Sequence, residues 1–438
     1  MTATLEPPVL LPRIEDASRL AEIAVVLARN GLVTVRRRGG GLVVAPRRQA
    51  PRAAGVALRR SFAELGPTFV KFGQLIASSP GLFPEGLSNE MRKLLDAVPA
   101  EPAERIRTVI ARELGADIDT LFASFDDVPV AAASIAQVHR AVLHDGTRVA
   151  VKVRRPHLRR RIEQDLRLLR LLAFVLARVG AVGEMLNPTA IVDDLATTLR
   201  AELDFRGEAA SIERFAANLA TTPAAHKVVV PRVVDGMVSK RVLVMTYVDG
   251  VPVDDGASLR AAGFDLEDLV RTSVSAWLDG ALGHGFFHGD VHAGNLFVTP
   301  AGEVAFLDFG IMGTLDDRTR TVLKRTVPAL FLSGDFEAVV QAVFDLGAAS
   351  PDAEVDMAQA TEDVRALLEP VLAKSIMELS YGESLSQVLS VATKYHVVLP
   401  RSLVLLSKQL LYFERYAREL APDYVILSDP SILGRLMG

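Results

Sequence analysis

Apolar residues recur at helical spacing through residues 61–98. Pro67 sits where a helix can start, and Pro80 and Pro84 punctuate the passage to a second helix. Residues 104–115 keep the same period, with Gly115 as a stop signal. The texture then changes. Residues 138–143 read as a strand, Asp145-Gly146 as a hairpin turn and residues 147–153 as a second strand. Arg-rich helical sequence runs over 156–182, Asn187-Pro188 breaks it, and helix resumes over about 190–220. Residues 227–234 and 241–245 read as strands around an Asp235-Gly236 turn. From about Leu266 the chain is mainly helical, apart from a hairpin of 296–299 and 304–307 around the turn 300–303. Strands followed by a long helical remainder predict an α+β protein with a small sheet-bearing lobe and a larger helical lobe.

Composition narrows the class. With 438 residues the chain suits two lobes or two to three domains. Half of the residues are hydrophobic and 23% are charged, so large cores are expected rather than disorder. A net charge of -4 argues neither for nor against a nucleic-acid partner, and none is expected; the lack of cysteine excludes disulfides, thiolate metal sites and a cysteine nucleophile. Residues 1–14 hold Pro7, Pro8 and Pro12 and no long apolar run, which argues against a secretory signal. The most apolar stretch, 168–186, is interrupted by Arg170, Arg178 and Glu184, whereas a membrane span needs about 20 nearly uncharged residues. It reads as a buried or amphipathic helix. Arg36, Arg37, Arg38, Arg47, Arg48, Arg52, Arg59 and Arg60 make residues 1–60 a basic arm, solvated or facing anionic lipid.

The candidate chemistry lies in His288-Gly289-Asp290-Val291-His292-Ala293-Gly294-Asn295, where an amide follows a carboxylate by five residues. The predicted hairpin then delivers Asp308-Phe309-Gly310 and carries Asp290, Asn295 and Asp308 towards one point. Magnesium takes hard oxygen ligands, a few from protein and the rest from phosphates and water. Asn295 and Asp308 supply such oxygens, and Asp290 is left to accept a proton or orient a nucleophile. Kinases arrange their catalytic and metal loops in this way. Asp-Phe-Gly alone occurs by chance; the ordered set is specific. Val149-Ala150-Val151-Lys152-Val153 offers the cation that phosphates need, on an apolar strand where an unpaired ammonium is costly and a carboxylate partner is expected. By itself the pentapeptide also fits an edge-strand lysine facing water. No Gly-x-Gly-x-x-Gly precedes it. Ala131, Ala132, Ala133 and Ser134 stand there instead, and alanine restricts the positive φ and close amide approach that glycine permits. A stiffer phosphate loop follows, although the segment alone also reads as a helix start.

Taken in order, Lys71-Phe72-Gly73-Gln74, Ala131–Ser134 before Lys152, Glu202-Leu203-Asp204 with Glu208-Ala209 after it, His288–Asn295 and Asp308-Phe309-Gly310 resemble the UbiB (AarF-type) atypical kinase family over about 61–424. The resemblance implies a bilobal protein-kinase-like fold. Its parts would be a helical extension at 61–118, an N-lobe at 119–250 with a helical insert near 155–205, and a C-lobe at 251–438. It implies that Lys152 contacts nucleotide phosphates and pairs with Glu208, that Asp290 takes the catalytic-base position, and that Asn295 and Asp308 hold magnesium. Met245, Tyr247 and Val248 would belong to the hinge that meets adenine. Lys71 and Gln74, on one helix face with Lys71 near Glu202, would lie over the site, with Asp204 completing the Glu-x-Asp motif.

The chain departs from the family pattern at Ser78-Ser79-Pro80-Gly81, at Val291 and Ala293, and at Ser211. Gly289 replaces the arginine with which ordinary kinases read a phosphorylated activation loop. The resemblance implies ATP and Mg2+ as cofactors and a lipid or isoprenoid-quinone-related ligand; a cytoplasmic protein is expected, with the basic arm and the helical segment 154–186 as the grounds for peripheral contact at the inner face of a membrane. A nucleotide-sensing scaffold and a small-molecule phosphotransferase remain as alternatives; Lys71 and Gln74 are unexplained under the latter.

Overall fold

The computed structural model describes residues 16–38, 41–47, 50–77, 83–94, 99–178, 188–347, 356–372, 387, 394–395, 397, 400–426 and 429–437. The prolines of residues 1–14, Arg48, the 78–81 departure and the Asn187 break lie outside them.

In chain order the elements are α1 (Ala17–Arg29), β1 (Val33–Arg38), β2 (Gly41–Pro46), α2 (Pro51–Leu65), α3 (Pro67–Ala77), α4 (Glu85–Met91), α5 (Ala103–Leu114) and α6 (Ile118–Leu121). Next come β3 (Ser124–Phe125), β4 (Ala131–Ala132), β5 (Ala136–Val142), β6 (Arg148–Arg154), α7 (Leu158–Leu176), α8 (Pro188–Glu202) and α9 (Phe205–Leu219). Then follow β7 (Val228–Val229), β8 (Val233–Val238), β9 (Val242–Thr246), β10 (Val251–Pro252), α10 (Gly256–Ala261) and α11 (Leu266–Leu278). The last are β11 (Phe286–His288), β12 (Leu296–Val298), β13 (Val304–Phe306), β14 (Met312–Thr314), α12 (Asp317–Ser333), α13 (Phe336–Leu346), α14 (Met357–Leu372), α15 (Arg401–Leu420) and α16 (Pro430–Met437).

The chain divides into two units. The first comprises residues 1–206 and 235–244. Its sheet runs β3-β5-β6-β9-β8, with β4 paired to β5. β5 and β6 are antiparallel, joined through the Asp145-Gly146 turn, where Gly146 has φ 86°. Its helical core packs Phe62, Leu65, Phe69, Met91, Ile162, Leu166, Leu195 and Leu199 from α2, α3, α4, α7 and α8. Pro67 opens α3, where its missing N–H costs nothing. Within α3 a Cβ on Gly73 would lie 2.2 Å from Leu94 Cδ1, so a larger residue there would force the Leu94 side chain to move. A buried ion pair ties α1 to α7: Arg19 Nε lies 2.6 Å from Asp165 Oδ1, and Arg19 Nη2 also donates to Leu65 O at 2.7 Å. The segment expected as a basic arm thus holds α1, a β1–β2 hairpin and most of α2.

Two details differ from the sequence expectation. The helix expected over 190–220 is two helices, because the chain turns at Leu203-Asp204 and the Asp204 carboxylate accepts the Arg206 N–H at 3.2 Å. Asp235-Gly236 does not end a strand but lies inside β8; Gly236 takes φ 73° within it, and the turn falls at 239–241, where Ser239 N–H reaches Val242 O.

The second unit comprises residues 207–234 and 245–438. Its four-stranded sheet runs β10-β12-β13-β7, and β11 pairs with β14. Fully buried Trp277 on α11 packs on Phe287 and Phe413 and donates its indole N–H to His288 O at 2.9 Å. A separate cluster joins Leu330, Phe336, Val340, Val364 and Leu368 of α12, α13 and α14. Among the described residues no helix is long and apolar enough to cross a membrane.

Candidate functional site

The site is clearest in the second unit. β12 and β13 form an antiparallel pair with Leu296 opposite Phe306, and Leu307 N–H donates to Asn295 O at 2.8 Å. This register puts Asn295, at the start of β12, beside the Leu307-Asp308 end of β13. Asn295 Nδ2 donates to the Asp290 carbonyl at 3.0 Å and so fixes the loop between them. Asp308 has φ 57°, a left-handed conformation uncommon outside glycine, and its Oδ1 accepts the Gly310 N–H at 3.2 Å. Strain of this kind concentrates at functional sites. Phe309 is buried against Phe215 and His288, which holds the Asp-Phe-Gly turn from behind.

His288 organises the other side. It is fully enclosed, and burial holds its pKa below the ordinary histidine value, so it stays neutral. Its Nε2 donates to Leu307 O at 3.0 Å, and its Nδ1 accepts the Asp290 N–H at 3.2 Å. One imidazole therefore bridges the loop that carries Asp290 and the strand that carries Asp308. His292 Nε2 lies 3.6 Å from Asp290 Oδ2.

The donor set suits a hard divalent cation. With its amide nitrogen on Asp290 O, Asn295 presents Oδ1, and Asp308 adds a carboxylate. Among the described residues no three His, Cys, Asp or Glu side chains form a metal-binding cluster. An ion here would rely on one amide, one carboxylate, phosphate oxygens and water, as magnesium does in nucleotide sites.

In the first unit, Lys152 lies on β6 opposite Val138, with Nζ 5.6 Å from the centre of the Phe205 ring. Ala131 and Ala132 are a short strand, not a helix start; Ala133 N–H closes a turn on Ala136 O at 2.8 Å, and Ser134 is buried. On α3 Lys71 Nζ lies 3.1 Å from Glu202 Oε1 on α8, one turn from Gln74 on the same helix. Asp204 pairs with Arg206 at 2.7 Å, and that guanidinium holds its carboxyl below the usual range. In the second unit Glu208 is buried on α9, Met245 is buried near the end of β9, and Tyr247 and Val248 follow it half-buried. Ser211 returns its hydroxyl to Gly207 O within α9.

Sequence reasoning missed α15. Gln409 Nε2 donates to Gly289 O at 2.7 Å, its Oε1 accepts the Val291 N–H at 2.9 Å, and the Tyr416 hydroxyl donates to Val291 O at 2.9 Å. Lys408 Nζ reaches Asp290 Oδ1 at 2.9 Å. The only hint in the sequence is polar Ser407, Gln409 and Glu414 on the apolar face of an amphipathic helix, where each is buried.

A mixed α+β fold with an antiparallel sheet in one unit, and an Asp–Asn–Asp hairpin site in the other, defines a kinase-like protein. Comparison with known proteins narrows the class. Residues 93–343 match the ABC1 atypical kinase-like domain and residues 364–425 the UbiB helical domain, so the chain belongs to the ABC1/UbiB atypical kinase family. It is 43% identical over 380 residues to "Uncharacterized protein Rv0647c" of Mycobacterium tuberculosis, covering 86% of this chain and 77% of that one. It is 35% identical over 373 residues to "Probable protein kinase UbiB" of Marinobacter nauticus, covering 84% and 67%. The Pseudomonas aeruginosa protein of the same name is 34% identical over 382 residues, covering 86% and 70%. A solved Mycobacterium tuberculosis structure, a complex of Rv3197 with erythromycin, shares the fold at TM-score 0.50 and 23% identity, covering 85% of this chain and 94% of that one.

Proposed function

We propose that the chain is a magnesium-ATP-dependent kinase or ATPase. In this reading Lys152 contacts the phosphates with Glu208 as its partner, Asn295 and Asp308 hold the ion, and Asp290 orients the attacking group. The observation that carries it is the β12–β13 register, which sets Asn295 beside the Asp308 turn while Asn295 also fixes the Asp290 backbone. Ala131–Ser134 would cover the phosphates, and Met245, Tyr247 and Val248 would meet the adenine. Lys71, Gln74, Glu202 and Asp204 would form the family's covering motif. The substrate class is isoprenoid-quinone or membrane-lipid related, on the strength of the family. Exposed Leu20 and Val25 on α1, and Leu172, Val175 and Leu176 on α7 near Arg170 and Arg178, support peripheral contact with an anionic membrane face.

A second reading has one observation in its favour. Ala133 N–H is already bonded to Ala136 O, so that amide is not offered to phosphate. A loop that grips phosphate weakly suits a nucleotide sensor with negligible turnover.

The test is magnesium-dependent nucleotide binding and ADP release by the full chain, with and without anionic liposomes, beside Asp308→Asn. The variant is expected to lose magnesium-dependent binding and turnover, and liposomes to raise turnover. An Asp308→Asn protein that turns over like the parent overturns the assignment. Binding without turnover in either condition selects the sensor.

A further inference from the structure

The ammonium beside Asp290 comes from outside its own loop. Lys408 on α15 places Nζ 2.9 Å from Asp290 Oδ1, across 118 residues of chain. The helix that carries it is bolted to the loop on both sides of Asp290, through Gln409 to Gly289 and Val291 and through Tyr416 to Val291. Gln409 is completely buried, so its neighbour Lys408 starts from a rigid backbone. The Lys408 side chain is 40% exposed and Asp290 20% exposed. An ion pair this open adds little to stability. What it changes is the charge and aim of the carboxylate. Asp290 and Asp308 place two negative groups where a polyphosphate must approach, and an uncompensated Asp290 would repel it.

We propose that Lys408 is a positioning residue for Asp290. Its ammonium holds Oδ1, leaves Oδ2, which has His292 Nε2 3.6 Å away, for the group that Asp290 orients, and offsets the charge so that the loop accepts an anionic nucleotide. This inference rests on the nucleotide-site reading above and deepens it, because it makes α15, within the UbiB helical domain, part of the reaction centre.

The test is a double-mutant cycle on magnesium-ATP affinity in the full chain, by calorimetric titration of the parent, Lys408→Met, Asp290→Asn and the double variant, with Lys408→Arg and Asp308→Asn alongside. Lys408→Met is expected to weaken binding by about tenfold, since it leaves one unbalanced charge near the phosphates. The double variant is expected to bind within about twofold of Asp290→Asn, a non-additivity that reports direct coupling. Lys408→Arg is expected to keep most of the parent affinity. A merely structural lysine would lower the melting temperature and leave the cycle additive. Lys408→Met binding within about twofold of the parent, or an additive cycle, overturns the inference. If Asp308→Asn also binds like the parent, or the parent binds no nucleotide, the nucleotide-site reading fails and this inference with it. If Asp308→Asn loses binding while Lys408→Met does not, only this inference fails.

Discussion

Gly289 shows how one position is closed to the usual kinase residue. A Cβ there would lie 2.8 Å from Leu405 Cδ2 and 3.0 Å from Ile311 O, and its own carbonyl is held by Gln409. Arginine, which ordinary kinases carry between the His and Asp of this loop, has no room. Gly289→Arg is expected to cost about 1–3 kcal/mol by overpacking, read as a lower urea midpoint. A variant as stable as the parent would mean that α15 yields easily. The tightness of this spot was not legible in the sequence, where Gly289 showed only as an absent arginine. Asp290, Asn295 and Asp308 were legible, because a hairpin of three-residue strands relates them locally and its turn chemistry is readable.

At the scale of elements, α16 depends on Asp429. Its carboxylate accepts from Arg271 Nε at 2.6 Å, Tyr424 OH at 2.9 Å, and Ser431 N and Oγ at 2.8 and 2.7 Å. Burial alone would raise its pKa, but the Ser431, Arg271 and Tyr424 hydrogen bonds outweigh burial and hold it well below the carboxylate range. A depressed folded value means that this stabilisation is complete above the unfolded aspartate pKa of about 3.9 and is lost as pH falls through the folded one. Asp429→Asn is expected to cost about 1–3 kcal/mol at pH 7. The gap between variant and parent should begin to narrow as pH drops below about 4 and close only as pH falls through the folded value. Denaturant titrations at pH 7 and pH 3 measure it, and a constant gap would show that the charge of Asp429 is not what holds the helix. The same contrast between local and distant causes explains β8. Asp-Gly reads as a turn at 145–146 and is one, but at 235–236 strand pairing absorbs the glycine's positive φ.

For the molecule as a whole, ligand linkage offers the broadest check on the proposed function. Magnesium-ATP at about a hundred times its dissociation constant adds about 2.7 kcal/mol to the fold that binds it, worth about 5–11 °C in melting temperature for a domain of 150–250 residues, at about 2–4 °C per kcal/mol. That upward shift is expected in the parent and absent in Asp308→Asn, by scanning calorimetry with ATP and magnesium together and singly. A parent indifferent to both would remove the nucleotide reading. The kinase-like α+β class was readable at this scale from strand-then-helix order and five motifs in family order. The chain's two returns across the unit border, at 234/235 and 244/245, were not, since they follow from which surfaces pack.

The sequence by itself determined the elements whose signals are local: the Asp145-Gly146 hairpin, the proline start of α3, the glycine stop of α5 and the loop carrying Asp290 and Asn295. Backbone geometry and turn residues act over a few positions, so a linear reading finds them. Only tertiary structure decided that His288 stays neutral between Asp290 and Leu307, that Gly73 and Gly289 face close neighbours where a Cβ would go, and that Lys408 meets Asp290. Each depends on burial or on contact between residues far apart in the chain, which periodicity does not encode.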